Sequence, residues 1–189
     1  MRLATPARRT LRRLSPVGRA GGSLPGMRRK LDQIDLRILR ELQTDGRITN
    51  QALSEKVGLS PRPCLERVRR LEKDGLIQRY QAVLDIRKIQ SCIFVLAEIA
   101  LERQGRDGRQ LFERRLRNTP EVVECWEVSG TFDYIAKLVC VDLDAYQDLT
   151  QSWIDDAELG VARVQSNVVL RPVRDAAPFP LFAAEPARD

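Results

Sequence analysis

A run of arginines in the first half of the chain could bind a nucleic acid. Residues 58–80 read GLSPRPCLERVRRLEKDGLIQRY, and four of the nine positions from 62 to 70 are arginine: 62, 67, 69 and 70. A guanidinium group can bind guanine O6 and N7 with two hydrogen bonds, and it also pairs with phosphate oxygens. The alternative is that these arginines only keep an exposed helix face solvated. Which of the two applies depends on how the helix is placed and which of its sides is apolar.

The spacing within this stretch predicts a helix with one apolar side. Ser60 is a good N-cap, Pro61 suits the first helical position and Gly75 ends the pattern, so a helix is expected over residues 61–73. At 100° per residue, the apolar side carries Cys64, Leu65, Val68 and Leu71. Cys64 is therefore expected to be a core thiol rather than a redox sensor. The charged residues are spread over the other side.

Two shorter helices are expected before this one. A first helix is predicted by apolar residues at helical spacing: Leu31, Ile34, Ile38, Leu39 and Leu42. A second helix, NQALSEKV at 50–57, can be capped by Thr49 or Asn50. Only residues 58–60 separate it from the arginine-rich helix, which is typical of a helix-turn-helix. The segment LIQRYQAVLD, residues 76–85, is expected to form two short strands that pair as a β-wing.

The arginine-rich helix stands where a helix-turn-helix places its DNA-reading helix in the major groove of double-stranded DNA. Arginine suits guanine, a carboxylate can accept from cytosine N4, and proline offers an apolar surface to a thymine methyl group. The candidates for base contacts are Arg62, Pro63, Glu66 and Arg67. The candidates for phosphate contacts are Thr49, Asn50, Gln51, Ser60, Arg69 and Arg70.

From Cys92 the pattern changes to strands that alternate with helices. Strands rich in Val, Ile and aromatic residues are predicted at 92–101, 121–128, 131–141 and 162–170. Amphipathic helices are predicted at about 107–118 and 142–153. The order β-α-β-β-α-β is typical of a ferredoxin-like sandwich, in which both helices cover one face of an antiparallel sheet. The expected fold class is α+β, a winged helix-turn-helix followed by this sandwich, whose other sheet face is free to pair with another subunit.

These patterns divide the chain into four parts. We expect a helix-turn-helix domain with its hinge at 31–92, a sandwich domain at 93–172, and a proline-rich tail at 173–189 that wraps a neighbour or hangs free. Residues 1–26 are basic and are expected to be disordered. Three interpretations of them stay open: an arm that adds non-specific DNA affinity, a targeting peptide, or an upstream start codon before a native start at Met27.

Charge and composition narrow the class of function. The 189 residues contain no histidine, and the formal net charge is +6. Residues 27–80 carry +5 and residues 81–189 carry −5, as expected when only the first module meets phosphate. Because the commonest general base and zinc ligand is missing, we expect neither an enzyme nor a cofactor or metal site. No apolar run is long enough to span a membrane, and the four spaced cysteines indicate free thiols in a reducing cytosol.

Three motifs in combination resemble a known family. They are LDQID at 31–35, LSPRPCLERVRRLEKDGLI at 59–77 and SGTFDY at 129–134. Over roughly residues 28–172, the chain closely resembles the leucine-responsive regulatory protein (Lrp/AsnC) family of bacterial and archaeal transcription regulators. Any one of these motifs alone would be weak.

The resemblance implies a cytoplasmic, nucleoid-associated regulator that binds specific DNA sequences and responds to an amino acid or a related metabolite. It implies a hinge at about 86–91 and a sandwich that dimerises and assembles into octamers or similar rings. The effector-binding residues that it suggests are Ser129, Gly130, Asp133, Tyr134 and Asn167. Thr131 stands where many relatives have an acidic residue. Asn167 replaces an aromatic residue of the best-known member, which argues against leucine as the effector.

Other interpretations compete with this one. The residues SGTFD are typical of a turn, so a simple connection between two strands accounts for a glycine at position 130 nearly as well as ligand binding does. In the ligand hypothesis, backbone amides of the turn hold an amino acid's carboxylate and Asp133 pairs with its ammonium group. An architectural protein that wraps DNA without an effector would use the same DNA-binding residues. A catalytic or metabolite-storing sandwich is a third alternative, and the missing histidine argues against it.

Overall fold

The computed structural model describes residues 31–102, 106–174 and 176–181. The basic tail predicted at 1–26 lies outside the described residues, as does the C-terminal tail from residue 182 onward. Within the described ranges, no helix is long and apolar enough to cross a membrane.

Three helices form the N-terminal module, as the sequence predicted. They are α1 (Gln33–Thr44), α2 (Asn50–Val57) and α3 (Pro61–Lys73). Asp32 and Asp35 form a capping box at the start of α1, in which each carboxylate accepts from the backbone N–H of the other residue. Gly58 ends α2 with a φ of 73°, which glycine adopts without strain. The capping box thus determines where α1 begins, and Gly58 opens the short connection between α2 and α3.

One apolar cluster holds the three helices together. Its buried members are Ile38, Leu53, Val57, Cys64 and Leu71. Burial raises the pKa of the Cys64 thiol, which keeps it protonated and unreactive. The prediction of a core thiol is confirmed. Because α3 contributes two residues to this cluster, its orientation on the module is determined by packing.

The segment after α3 does not form the β-wing that the sequence predicted. Residues 76–85 are described and contain no strand, and Val83 and Leu84 are 95% and 67% exposed. The segment has no Asn-Gly or similar hairpin turn, and an isolated two-stranded hairpin is marginal without a surface to pack on. A single 3-10 turn, Ile86–Lys88, lies in the hinge predicted at 86–91.

The C-terminal half forms the predicted sandwich. Its elements are β1 (Ile93–Leu101), α4 (Arg106–Asn118), β2 (Val122–Glu127), β3 (Tyr134–Cys140), α5 (Leu143–Asp155) and β4 (Val161–Val168). The sheet is antiparallel with the order β2-β3-β1-β4. The α+β class and the ferredoxin-like topology are therefore confirmed.

The two helices cover one face of this sheet and leave the other open. Phe112 of α4 and Trp153 of α5 are fully buried over the strands, with ring centroids 6.0 Å apart. Trp126 of β2 pairs with Ile135 and is 48% exposed. The covered face of β3 carries Tyr134, Ala136, Leu138 and Cys140. The sheet thus has one packed face and one face that displays an aromatic side chain.

The described part of the C-terminal tail lies against α1 of its own chain. Phe179 exchanges two hydrogen bonds with the Gln43 side chain: its N–H donates to Oε1 at 2.8 Å, and its carbonyl accepts from Nε2 at 3.3 Å. Arg40 Nη2 donates to the carbonyl of Leu181 at 3.0 Å. Residues 176–181 therefore neither hang free nor need a neighbouring chain for these contacts.

Candidate DNA-reading helix and effector cavity

One side of α3 forms a polar stripe that faces solvent. Arg62, Glu66, Arg69 and Lys73 follow one another at spacings of three and four residues, and all are exposed. The side chain of Arg62 is 91% exposed, and its Nε lies 3.3 Å from Glu66 Oε1. An exposed pair at this spacing is weak, so a stronger acceptor can replace Glu66 as the partner of Arg62. We call these four residues the exposed stripe.

The guanidinium groups of Arg67 and Arg70 are bound by carboxylates at the start of α1, although the Arg70 side chain is also 47% exposed. Arg67 Nη1 donates to Asp32 Oδ2 at 2.6 Å and to Asp35 Oδ1 at 2.8 Å. Arg70 Nη2 lies 2.7 Å from both oxygens of Asp35. The side chain of Asp35 is only 3% exposed. Two of the four predicted arginine contacts thus belong to an ion-pair cluster of Asp32, Asp35, Arg67 and Arg70.

The ion pairs of this cluster shift the pKa values of two of its members, Asp32 and Arg67. The backbone N–H of Asp35 and the Arg67 guanidinium lower the pKa of Asp32 below its ordinary value of 3.8, against an opposing effect of burial. The hydrogen bonds to Asp32 and Asp35 raise the pKa of Arg67 above its ordinary value of 12.5. The carboxylates of Asp32 and Asp35 balance the guanidinium groups of Arg67 and Arg70, so the four side chains together have no formal net charge. Arg67 and Arg70 therefore add less positive potential to α3 than the sequence implies.

The predicted contacts at the helix starts also have partners within the chain. Thr49 caps α2 by accepting from the Ala52 N–H at 3.2 Å, which leaves its hydroxyl hydrogen able to donate. Asn50 Nδ2 donates to the carbonyl of Pro61 at 2.8 Å and so ties the start of α2 to the start of α3. The remaining helix-start candidates are Gln51, which donates to Glu55, and Ser60, whose side chain makes no capping hydrogen bond.

These placements separate the predicted DNA contacts into two groups. Arg62, Pro63, Glu66 and Arg69 are exposed on α3. Thr49, Asn50 and Gln51 lie at the start of α2, which Asn50 ties to the start of α3, and Ser60 is the N-cap of α3. Arg67 and Arg70 lie beside them but point to α1. Lys73 completes the exposed stripe and was missed because the sequence argument favoured the N-terminal part of the helix. The spacing of four residues from Arg69 indicates that Lys73 lies on the same side of α3 as Arg69.

A cavity of about 640 Å³ opens where β2 ends and the loop to β3 begins. Its lining residues are Glu98, Glu127, Val128, Ser129, Thr131, Phe132 and Ile135. The guanidinium carbon of Arg163 lies 4.8 Å from the centre of the Phe132 ring, a cation–π contact that holds this aromatic side chain in place. The cavity thus combines two carboxylates, two hydroxyls and an aromatic wall.

The SGTFDY loop connects β2 to β3, and its conformation is held by the backbone of Gly130 and the side chain of Asp133. Gly130 has a φ of 129°, which side chains rarely allow. Asp133 Oδ2 accepts from the Leu101 N–H at 2.8 Å, and its Oδ1 accepts from Arg109 Nη2 at 2.9 Å. Both oxygens of Asp133 therefore already have a donor within the chain, and the residue anchors the loop to β1 and α4.

Of the predicted effector residues, the structure brings only Ser129 to the cavity wall. Tyr134 lies in the core under α4, where it contacts Phe112, and its hydroxyl donates to Glu113. Burial, together with the charge of Glu113, raises the pKa of Tyr134 to about 12. Asn167 pairs with Leu96 in the sheet and does not line the cavity. Gly130 and Asp133 shape the loop from outside the cavity wall.

Sequence reasoning missed most of the cavity wall. Glu98 and Ile135 lie in strands predicted only from their apolar pattern, and Phe132 enters the prediction only as part of the SGTFDY motif. The available signals were a lone carboxylate in the otherwise apolar strand IFVLAEIAL and an aromatic residue in a turn. Neither signal identifies a cavity without the sheet register that places Glu98 opposite Ile135.

Replacing Gly130 by alanine is expected to destabilise the sandwich by about 1–3 kcal/mol, because the φ of 129° is costly for a residue with a Cβ. No atom lies within 4 Å of the added Cβ, so the cost comes from the backbone alone. Thermal unfolding followed by tryptophan fluorescence measures it. Gly46→Ala, whose Cβ would meet only ordinary contacts, is the matched control. Equal melting temperatures for the two variants would contradict the prediction.

Comparison with known proteins places these features in a family. Residues 31–78 match the family model described as winged helix-turn-helix DNA-binding, and residues 94–179 match the Lrp/AsnC ligand binding domain. Over 129 residues, the chain is 47% identical to the leucine-responsive regulatory protein of Serratia marcescens, covering 68% of this chain and 77% of that protein. The chain belongs to the Lrp/AsnC family of transcription regulators.

Other Lrp/AsnC proteins show the same relationship. The leucine-responsive regulatory protein of Escherichia coli K12 is 49% identical over 119 residues, covering 63% of this chain and 73% of that protein. An AsnC family transcriptional regulator from Agrobacterium tumefaciens superposes with a TM-score of 0.73 at 31% identity, covering 79% of this chain and 97% of that one. A Neisseria meningitidis transcriptional regulator, solved in complex with L-methionine, gives a TM-score of 0.71 at 32% identity, covering 79% and 96%.

Proposed function

We propose that this transcription regulator reads its DNA through the exposed stripe of α3 and the residues around the start of that helix. In this proposal Arg62, Pro63 and Glu66 approach base edges, because they lie in the N-terminal half of a helix that follows a helix-turn-helix turn. Arg69 and Lys73 contact phosphates together with Thr49, Asn50, Gln51 and Ser60. The exposure of Arg62, with only a weak partner in the free protein, is the observation that carries the proposal.

We assign Arg67 and Arg70 a different role from the one that the sequence predicted. Their guanidinium groups are committed to Asp35, so they orient α3 against α1 instead of contacting a base or a phosphate. A base contact by Arg67 would require breaking hydrogen bonds of 2.6 and 2.8 Å to two carboxylates. Such charge-assisted bonds are roughly twice as strong as neutral ones, so Arg67 is a poor candidate for direct reading.

We propose further that the cavity beside the SGTFDY loop binds an amino acid or a closely related metabolite. Glu98 and Glu127 offer carboxylates to an ammonium group, and Phe132 and Ile135 offer an apolar wall to a side chain. Loop amides and the Ser129 hydroxyl supply donors for a carboxylate. Asp133 supports the site by anchoring the loop through Leu101 and Arg109 rather than by binding the ammonium group itself. The L-methionine complex of a structural neighbour is consistent with this class of ligand.

The remaining parts of the proposal concern assembly and cellular setting. We propose that residues 31–92 and 93–172 act as a DNA-binding domain and an effector domain, and that the open sheet face pairs two chains. Dimers would then assemble into octamers or similar rings. Two reading helices in a dimer imply half-sites separated by about one helical turn of DNA or a multiple of it. We propose a cytoplasmic, nucleoid-associated protein without enzymatic activity.

Titration calorimetry with a panel of amino acids, starting with L-methionine, tests the effector proposal. We expect at least one to bind, and Phe132→Ala to weaken that binding by about 10-fold because it removes the aromatic wall. Phe179→Ala is the matched control, since Phe179 is exposed and lies on α1 away from the cavity. If nothing binds while the protein still selects a DNA sequence, the effector proposal fails and an architectural role is favoured. Unchanged affinity in Phe132→Ala would remove the cavity from the proposal.

A further inference from the structure

We propose that Asp35, with Asp32, determines sequence specificity without touching DNA, by neutralising Arg67 and Arg70 and thereby limiting non-specific attraction of α3 to phosphates. The inference rests on the proposed placement of the exposed stripe against DNA. It assigns a role to the first motif of the chain, LDQID, which forms the start of α1 and is remote in sequence from the reading helix.

The geometry joins these residues into one unit. Asp35 accepts from Arg67 Nη1 at 2.8 Å and from Arg70 Nη2 at 2.7 Å, so a single buried carboxylate holds two arginines that lie three residues apart on α3. Asp32 adds a second acceptor for Arg67 at 2.6 Å. The Arg70 side chain is nevertheless 47% exposed, and it adjoins Arg69 of the exposed stripe. Arg70 would therefore be close to the DNA backbone if Asp35 released it.

The charge balance decides how α3 meets DNA of any sequence. Non-specific affinity comes almost entirely from phosphates neutralised by Lys and Arg, and it falls with salt in proportion to their number. With Asp32 and Asp35 in place, the positive charges of Arg67 and Arg70 are balanced by two carboxylates, and only the charges of the exposed stripe remain to attract phosphates. Without the carboxylates, the same helix would present two additional cations. Specific binding would gain less, because base contacts depend on the orientation of α3 and not on the number of its charges.

The two carboxylates also fix that orientation. Asp35 sits in the first turn of α1, and its partners lie in the middle of α3, so the cluster resists rotation of α3 about its own axis. A rotation would move Arg62 and Glu66 away from their positions over the base edges. Losing Asp35 is therefore expected to lower the ratio of specific to non-specific affinity, which a simple loss of folded protein cannot do.

The test compares two DNA duplexes in the full-length protein. One duplex carries the sequence that the wild type selects from a random pool, and the other is a shuffled duplex of equal length and composition. Affinity for each is measured by fluorescence anisotropy over a series of salt concentrations. Asp35→Asn is the principal variant. Asp32→Asn is the milder one, because asparagine caps a helix as well as aspartate does and the exposed side chain can keep its place. Glu55→Gln is the matched control, because it removes an equal charge at an exposed position of α2, where Gln51 is the hydrogen-bond partner of Glu55.

We expect Asp35→Asn to bind the shuffled duplex more tightly, with a salt slope steeper by about 1, and to lose about 10-fold in the ratio of selected to shuffled affinity. Asp32→Asn should change both quantities in the same direction by less, and Glu55→Gln should change neither beyond a small uniform increase. An equal loss on both duplexes, or an unchanged ratio, overturns the inference. If Asp35→Asn does not fold, Asp32→Asn decides by the same criteria. A wild type that selects no sequence would instead contradict the proposed reading helix.

Discussion

The Arg67→Ala/Arg70→Ala double variant is expected to lose about 3 kcal/mol of stability in the helix-turn-helix module. Both substitutions remove the partners of Asp35, whose side chain is 3% exposed. An ionised carboxylate left buried without cationic partners is strongly destabilising, because its desolvation is no longer compensated. The chain has two modules, so hydrogen exchange of the α1 and α3 amides is the appropriate measurement, since it reports local opening free energies.

The matched control for this double variant is Arg62→Ala/Arg69→Ala, which removes the same charge from the same helix. Both of these side chains are exposed, so the control should change the local stability by no more than about 0.5 kcal/mol. Adding Asp35→Asn to Arg67→Ala/Arg70→Ala should recover part of the loss, because the uncompensated charge is then gone. Equal protection of α1 and α3 amides in the two double variants would show that the cluster contributes little to the fold.

Arg62→Ala is expected to weaken binding to the selected DNA by about 10-fold to 100-fold and to relax sequence preference at one base pair of each half-site. A bidentate contact to guanine carries this size of discrimination, and Arg62 is the most exposed arginine of the N-terminal half of α3. Binding to a shuffled duplex should change far less. Competition binding against single-base variants of the selected sequence measures both effects.

Two further variants separate a base contact from a phosphate contact. Arg69→Ala should weaken binding to all duplexes by a similar factor and reduce the salt slope by about 1, as expected for a phosphate contact. Arg114→Ala, at an exposed position of α4 in the sandwich, removes an equal charge away from the reading helix and should leave sequence preference unchanged. If Arg62→Ala behaved like Arg69→Ala, Arg62 would be a phosphate contact and the base-reading role would have to lie elsewhere on α3.

The elements of the fold could be predicted from the sequence because their signals are local. The spacing of Cys64 and Leu71, the Ser60-Pro61 start and the glycine at 75 together define α3, and the structure has it at Pro61–Lys73. The strands of the sandwich were recognisable for a similar reason, since runs such as IFVLAEIAL are rich in strand-forming residues. Cys64 and Leu71 are buried in the structure, in agreement with the apolar side predicted for α3.

The candidate sites were only partly predictable because they depend on contacts between distant residues. The sequence of α3 alone does not show which of its arginines are free to contact DNA. Arg70 is next to the exposed Arg69, but its guanidinium group is bound by Asp35, which lies 35 residues earlier. The cavity likewise depends on the register that places Glu98 opposite Ile135. The two short strands predicted at 76–85 are not formed, because strand-forming residues do not make a hairpin without a turn and a surface to pack on.

Selection of DNA sequences from a random pool by the wild type and by Arg62→Ala tests the central claim most directly. The claim is that the exposed stripe of α3 reads specific DNA. We predict that the wild type enriches a pseudo-palindromic sequence with half-sites about one helical turn apart or a multiple of it. Arg62→Ala should enrich the same sequence with one position of each half-site no longer defined. Enrichment of no common sequence by the wild type, or an identical motif in both selections, would contradict the account.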